Sequence, residues 1–344
     1  MTIRVGLLAY GAIGHEHNLA VAATPGLTLT AVCDTNPERI AAALELAPEA
    51  QAFDDANNML ASGLIDLVVV STPPNSHFEW AQRALQQNIH VVLEKPMALT
   101  TAECDALMSL AAQQDRLLVV YQNRRFDRDF VTISEAVAAG RIGEVFHIDT
   151  FVGGHREPCS YWHSDAAVSG GAIFDWGSHY IDQILAMVPQ PVSHVSCVNH
   201  KRRWHHATNA DHASVTITFA DGTQATFVNS DLAAARPPKY RLFGTHGSIV
   251  GDWDPRAEPD VADLPAMLTL HEPGTSPVTM TLVYVPSFQF HAELAAYLTE
   301  GTPMRVTTRQ SRDVVAVMQA AEESALANGQ PVVPDLLRDR QRAG

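Results

Sequence analysis

The segment Ala9-Tyr10-Gly11-Ala12-Ile13-Gly14 constrains the fold more than any other. It joins an apolar, β-branched run at residues 3–9 to a helix-like stretch at 14–23. Two glycines three apart in such a turn match the pattern G-x-G-x-x-G with alanine at its first glycine. A turn of this kind belongs at the start of a parallel, helix-covered sheet. The residues that follow agree with that. Apolar runs of strand length recur at 27–33, 64–71, 89–93 and 117–121, with helix-like segments at 38–46, 76–87 and 101–114. Thr100 followed by Glu103 predicts a capping box on the last helix. The runs are continuously apolar rather than alternating, as strands buried on both faces are.

In this setting Gly11 would let the backbone approach the pyrophosphate of a dinucleotide, and Gly14 would let helix pack closely on strand. The N–H groups at the helix start, with Ala12 and Ile13, suit phosphate oxygens. Ala9 stands where the tight turn favours glycine. Asp34 ends the second strand run, twenty residues past Gly14. A carboxylate there can accept hydrogen bonds from both ribose hydroxyls of NAD and repel the 2′-phosphate of NADP. Alternatively it only caps the turn Asp34-Thr35-Asn36-Pro37. Thr35, rather than Arg, favours NAD(H); Arg39 lies near enough to leave NADP(H) open. The third strand run ends in Ser71-Thr72-Pro73-Pro74-Asn75-Ser76-His77. Thr72, Pro73 and Asn75 can sit beside a cofactor there, or Asn75 can serve as a helix N-cap, or both.

Two further features carry chemistry. Glu94-Lys95-Pro96 follows the run at 89–93. A strand-end ammonium beside a nicotinamide could hydrogen-bond a substrate hydroxyl and stabilise the alkoxide as hydride leaves. A buried Lys could also act as the acid or base. The other reading is a surface Lys paired with Glu94. Along a helix at 171–188, Asp175, His179 and Asp182 fall at i, i+4 and i+7 and share one face. Phe174, Ile181, Ile184, Leu185 and Val188 occupy the other. A His beside a carboxylate on this helix suits a general base with an orienting partner. Equally, it suits a capping Asp and a hydrogen-bonded core His. Asp-x-x-x-His alone lacks a third metal ligand at any obvious spacing, so no metal is expected.

The rest of the chain has a different texture. A helix is predicted at 128–139, a strand at 145–151, and a loop rich in His and aromatic residues at 153–168. Alternating runs at 214–219 and 223–228 flank Asp221-Gly222, a hairpin signal that calls for an antiparallel sheet with one buried face. Residues 251–265 read as an acidic loop, and a helix at 311–327 ends at Asn328-Gly329. A length of 344 residues fits two domains, divided as 1–123 and 124–344. With 23 Lys and Arg against 38 Asp and Glu, the net charge of −15 excludes nucleic acid as a partner. The one basic cluster, Lys201-Arg202-Arg203, reads as a solvated loop. The four cysteines form no CxxC motif, and no apolar run is long enough to span a membrane. With no signal-peptide pattern at the N-terminus, a cytoplasmic protein is expected.

Taken in order, the motifs resemble the glucose–fructose oxidoreductase/inositol dehydrogenase (Gfo/Idh/MocA) family. The carriers are Gly11 to Gly14 with His17, Asp34 to Arg39, Glu94-Lys95-Pro96, Gln122-Asn123-Arg124-Arg125-Phe126, and Gly170-Gly171 through Asp182. Phe243 to Ser248 and Arg312 to Met318 continue the likeness. The resemblance implies an α/β Rossmann domain followed by an α+β domain with a large open, mainly antiparallel sheet, through which a homodimer or homotetramer would form. It implies an NAD(P)-dependent enzyme oxidising or reducing a secondary alcohol or ketone carbon of a sugar, glycoside or cyclitol such as inositol. On the cofactor side stand Gly11, Ala12, Ile13, Asp34, Arg39, Thr72, Pro73, Asn75, His77, Glu94, Lys95 and Gln122, with Glu94 near the nicotinamide and a cis bond before Pro96. On the substrate side stand Lys95, Arg124, Asp175 and His179, joined by Tyr161, Trp162 and His163 from the loop. Lys95 orients the hydroxyl, His179 is the base and Asp175 positions both. Two rival readings are a cofactor-binding regulator without turnover, against which the intact Lys95, Asp175 and His179 speak, and an enzyme that retains NAD for chemistry with no net redox.

Overall fold

The computed structural model describes residues 2–256 and 264–337. The chain forms two compact units. The first comprises Met1–Gln122 and Pro286–Arg312, the second Asn123–Val285 and Asp313–Gly344. Against the single boundary expected between 123 and 124, residues 286–312 cluster with the first unit.

The first unit opens with β1 (Ile3–Leu8), α1 (Ala12–Ala23), β2 (Leu27–Cys33) and α2 (Pro37–Leu46). A short pair follows, β3 (Gln51–Phe53) and α3 (Ala56–Ala61). Then come β4 (Leu67–Val70), α4 (His77–Gln86), β5 (His90–Leu93), α5 (Thr101–Gln114) and β6 (Leu118–Val120). The strands form one six-stranded sheet in the order β3-β2-β1-β4-β5-β6, and every neighbouring pair is parallel. All four residues of β4 are buried, as the continuous apolar runs require. Both halves of the Thr100–Glu103 capping box are present on α5. The sequence reading missed β3 and α3, because a three-residue edge strand with two exposed positions carries no periodic signal. The strand order reverses between β1 and β4, and in such sheets the crevice at the carboxyl ends beside that point takes the ligand.

The second unit begins with α6 (Arg128–Ala138), β7 (Val145–Gly153), α7 (Ala166–Ser169) and α8 (Ala172–Met187). It continues with β8 (Val192–His200), β9 (His212–Phe219), β10 (Gln224–Ser230), β11 (Tyr240–Gly244), β12 (Ser248–Asp252), β13 (Met267–His271) and β14 (Val278–Thr279). The eight strands run in the order β14-β13-β12-β11-β7-β10-β9-β8; β7 and β10 are parallel and the other pairs antiparallel. Along β9, Ala213, Val215, Ile217 and Phe219 are buried and the residues between them are not, so one face is packed. α8 lies on that face, where a Cβ on Gly177 would sit 3.3 Å from the Phe227 ring. The hairpin turn expected at Asp221-Gly222 is present, with Gly222 at φ 89° and Asp221 accepting the Thr223 N–H. Two further helices follow, α9 (Gln289–Glu300), which belongs to the first unit, and α10 (Thr308–Leu326).

Two expectations are corrected. The acidic stretch 251–265 is not all loop, since Gly251 and Asp252 end β12, paired with Leu268 and Met267; residues 257–263 lie outside the described residues. Lys201-Arg202-Arg203 is not simply solvated. Its loop is gathered around Asp211, which is 1% exposed and accepts from the Lys201 ammonium and from the backbone N–H groups of Arg202, Arg203 and Trp204. Burial alone would raise this carboxyl, but those donors outweigh it and hold it at about 2.

Candidate active site

β1 delivers the chain to Ala9, which adopts φ 71° in the left-handed region that glycine favours. Gly11 then serves as N-cap of α1, and a Cβ built on it meets nothing within 4 Å, so the space over the helix start is open. A Cβ on Gly14 would stand 2.7 Å from the Ala9 carbonyl oxygen, which makes that glycine a condition of the strand–helix packing. The first bond within α1 runs from His15 N–H to Gly11 O, so the N–H groups of Ala12, Ile13 and Gly14 precede the helical ladder. Open space over these groups fits a pyrophosphate.

Asp34 follows β2 and is almost wholly buried. Its Oδ2 accepts the Tyr10 N–H at 2.7 Å and its Oδ1 the Asn36 N–H at 2.8 Å. Capping of the turn is therefore present, and Asp34 also ties the glycine turn to the end of β2. Arg39 Nη1 lies 3.7 Å from Oδ2, with its side chain half exposed. Beyond β4, the N-cap of α4 is Ser76 and not Asn75, which falls inside a 3-10 turn at Pro74–Ser76. Ser76 Oγ reaches Thr72 Oγ1 and the Pro73 carbonyl. His77 is fully buried, with Nδ1 2.8 Å from the Pro96 carbonyl and Nε2 2.9 Å from that of Thr72. Both ring nitrogens are thus engaged by the protein, and His77 joins two strand-end loops.

Glu94 directly follows β5. Its carboxylate is buried, with Oε1 3.0 Å from His17 Nε2 and Oε2 accepting the Lys95 backbone N–H at 3.2 Å. Lys95 is half-buried and its bond to Pro96 is cis. Gln122 follows β6 at 2% exposure, and its Oε1 has no hydrogen-bond partner among the described residues. A buried amide oxygen in that state is an acceptor for a ligand N–H or O–H.

In the second unit α8 starts after Gly170 and Gly171, at φ 87° and 101°, which turn the chain sharply out of α7. The three polar residues expected on one helical face all lie within α8, in different surroundings. Asp182 is fully buried in a bidentate pair with Arg125, at 2.6 Å for both Nε–Oδ2 and Nη2–Oδ1. His179 is buried, while Asp175 in the first turn stays partly exposed. His163 Nδ1 lies 3.9 Å from Asp175 Oδ2, so the aromatic loop does meet α8. The His163 ring stacks on Trp162 at 3.6 Å and meets Tyr161 edge-on at 5.4 Å. Arg124 holds Asp127 at 3.3 Å, and its guanidinium lies over the Trp176 ring. Arg124 and Asp127 surround one tight gap, too small for a water molecule, with Trp176, His179, Tyr180 and Gln183. Asp127 was missed from sequence, where only its i, i+3 spacing from Arg124 could have marked it. Burial pushes it up to about 6, against the pull of Arg124 and with the push of Asp129. Among the described residues no group of three or more His, Cys, Asp or Glu is placed to hold a metal ion, and no helix is long and apolar enough to cross a membrane.

Comparison with known proteins agrees in both halves. Residues 3–122 match the family model described as "Oxidoreductase family, NAD-binding Rossmann fold", and residues 130–250 that of the "GFO/IDH/MocA C-terminal domain". Scyllo-inositol 2-dehydrogenase (NADP(+)) IolW of Bacillus subtilis is 26% identical over 342 residues, 94% of each chain. Inositol 2-dehydrogenase of Rhizobium meliloti is 30% identical over 259 residues, 73% of this chain and 76% of that one. Among solved structures, an NAD-binding protein from Listeria innocua superposes with a TM-score of 0.84 at 26% identity, covering 97% of both chains.

Proposed function

The chain belongs to the Gfo/Idh/MocA family of NAD(P)-binding oxidoreductases, and we propose that it transfers hydride between nicotinamide C4 and a secondary alcohol or ketone carbon of a sugar, glycoside or cyclitol. The observation that carries this reading is a buried imidazole, His179, one turn after the partly exposed Asp175 and packed with Arg124 around one tight gap. A base with such neighbours suits removal of a hydroxyl proton. The inositol dehydrogenases among its relatives support a polyhydroxylated substrate.

In the oxidising direction His179 takes the hydroxyl proton, and the Lys95 ammonium hydrogen-bonds the same oxygen and stabilises the developing alkoxide. Asp175 positions substrate and base. Trp162 and His163, already stacked on one another, with Tyr161 offer aromatic faces and a polar edge to a sugar ring. The cofactor, when bound, supplies the hydride acceptor. The helix start at Ala12 and Ile13 receives its pyrophosphate, Thr72, Pro73 and Asn75 border it, and Gln122 offers its buried amide oxygen. The remaining lone pairs of Asp34 accept ribose hydroxyls, which favours NAD(H). Arg39 gives a 2′-phosphate a partner, so NADP(H) is used less well rather than refused. The eight-stranded sheet of the second unit serves as the contact between copies in a homodimer or homotetramer.

The test is reduced-cofactor formation from a panel of cyclitols, aldoses and glycosides, with NAD and NADP in parallel. On a substrate that turns over, Lys95→Ala and His179→Ala should each lower kcat by about 10²–10⁴-fold. Full activity in both variants would overturn the assigned chemistry.

A further inference from the structure

Behind Glu94 two imidazoles stand in line. His17, on α1, has Nε2 3.0 Å from Glu94 Oε1 and Nδ1 3.0 Å from Nε2 of His291, in the first turn of α9. Both rings are completely enclosed, at 0% and 1% exposure. Tyr121 packs against His17 at 4.4 Å and His291 at 5.3 Å, Phe290 closes on Tyr121, and the Tyr121 hydroxyl is directed away to Glu16.

These contacts fix the protons. A ring nitrogen facing a carboxylate must carry hydrogen, so His17 donates from Nε2. Nδ1 of a neutral His17 is then a lone pair, and its contact with His291 is favourable only if His291 Nε2 carries hydrogen. That leaves His291 Nδ1 as a bare lone pair, and this atom has no hydrogen-bond partner among the described residues. The opposite assignment, a doubly protonated His17 with hydrogen on His291 Nδ1, buries a cation and strands a donor, which is the more unfavourable choice. Burial and the neighbouring His17 ring both hold the His291 imidazolium form well below its ordinary range.

We infer that His291 and His17 are a positioning pair, a one-way chain of two N–H bonds ending on Glu94 that fixes which carboxylate oxygen is turned to Lys95. This rests on the reading that Glu94 lies near the nicotinamide. A carboxylate held there stabilises the cationic oxidised ring over the neutral reduced one, so the pair tunes the ratio of the two affinities.

Nitrogen-detected NMR of the full-length protein reads the tautomers directly, and NAD and NADH titrations read the ratio. His17 and His291 should both carry hydrogen on Nε2. His291→Phe should take the donor away from His17 Nδ1, seen as a shift of that nitrogen's resonance, and lower the preference for NAD over NADH about fivefold. His291→Gln, whose amide N–H can replace the lost donor, should restore both. Hydrogen on Nδ1 of either ring in the wild type would overturn the relay, and that measurement stands even where His291→Phe fails to fold. A His291→Phe protein that loses only thermal stability, with the His17 Nδ1 resonance and the ratio unmoved, would overturn it as well. If instead the tautomers are as assigned but Glu94→Gln leaves the ratio unchanged, the placement of Glu94 near the nicotinamide fails, and the tuning with it.

Discussion

Ala9 sits at φ 71° without the glycine that this turn usually has. A Cβ in the left-handed region costs about 1–2 kcal/mol, of which the freer unfolded chain of glycine would return part. Ala9→Gly should therefore stabilise the protein by about 0.5–1 kcal/mol, seen as a higher urea midpoint at unchanged slope. Gly14 allows no such freedom, given the Ala9 carbonyl 2.7 Å from its would-be Cβ. At this scale spacing along one element marks Gly11, Gly14 and Asp34, which the structure places in the turn after β1 and at the end of β2, and marks Lys95, Asp175 and His179 as the residues for the proposed chemistry to test. It hides those defined by what lies across space. Asp182 has the helical register of a catalytic partner, yet it belongs to Arg125, 57 residues away. His291 is an unremarkable helical His until the fold sets it 3.0 Å from His17, across 274 residues.

Among the elements, α1, α2, α4 and α5 were legible from their length and spacing, and β1, β2, β4, β5 and β6 from continuous apolar runs, whereas β3, α3 and α9 of the first unit were not. The hairpin of β9 and β10 was legible through Asp221-Gly222. β8, β11, β12, β13 and β14 were not, because their alternation is diluted by His, Ser and Asn or lasts five residues or fewer. The loop after β8 shows how a segment without periodicity can still be rigidly specified, with four donors meeting one carboxylate. Asp211 is held at about 2, below its unfolded value near 4, so its contribution is complete above that value and fades as pH falls towards 2. Discounted for the partly exposed Lys201, it amounts to about 1–2 kcal/mol. Asp211→Asn should lower stability by that amount at pH 7 and by about a third of it at pH 2.5, and calorimetry of the two proteins should converge only below pH 2.

At the scale of the whole molecule, the first unit is discontinuous. Helix α9 buries Phe290, His291, Leu294 and Ala295, and the fully buried Arg312 forms a bidentate pair with Asp105. Residues 1–122 alone would lose this cover, worth about 3–6 kcal/mol from Phe290 and Leu294, and would strand His17 Nδ1. That fragment should unfold at lower denaturant than one in which a flexible linker joins 1–122 directly to 286–312, as circular dichroism would show. The same discontinuity imposes an order in time. A chain emerges from the ribosome N-terminus first, so the nucleotide-binding half is finished only after residues 123–285 have been made, about 8–33 s later at ordinary elongation rates. For that interval the cell holds a six-stranded sheet still waiting for its last helix, and any chaperone serving this protein meets that unfinished surface first.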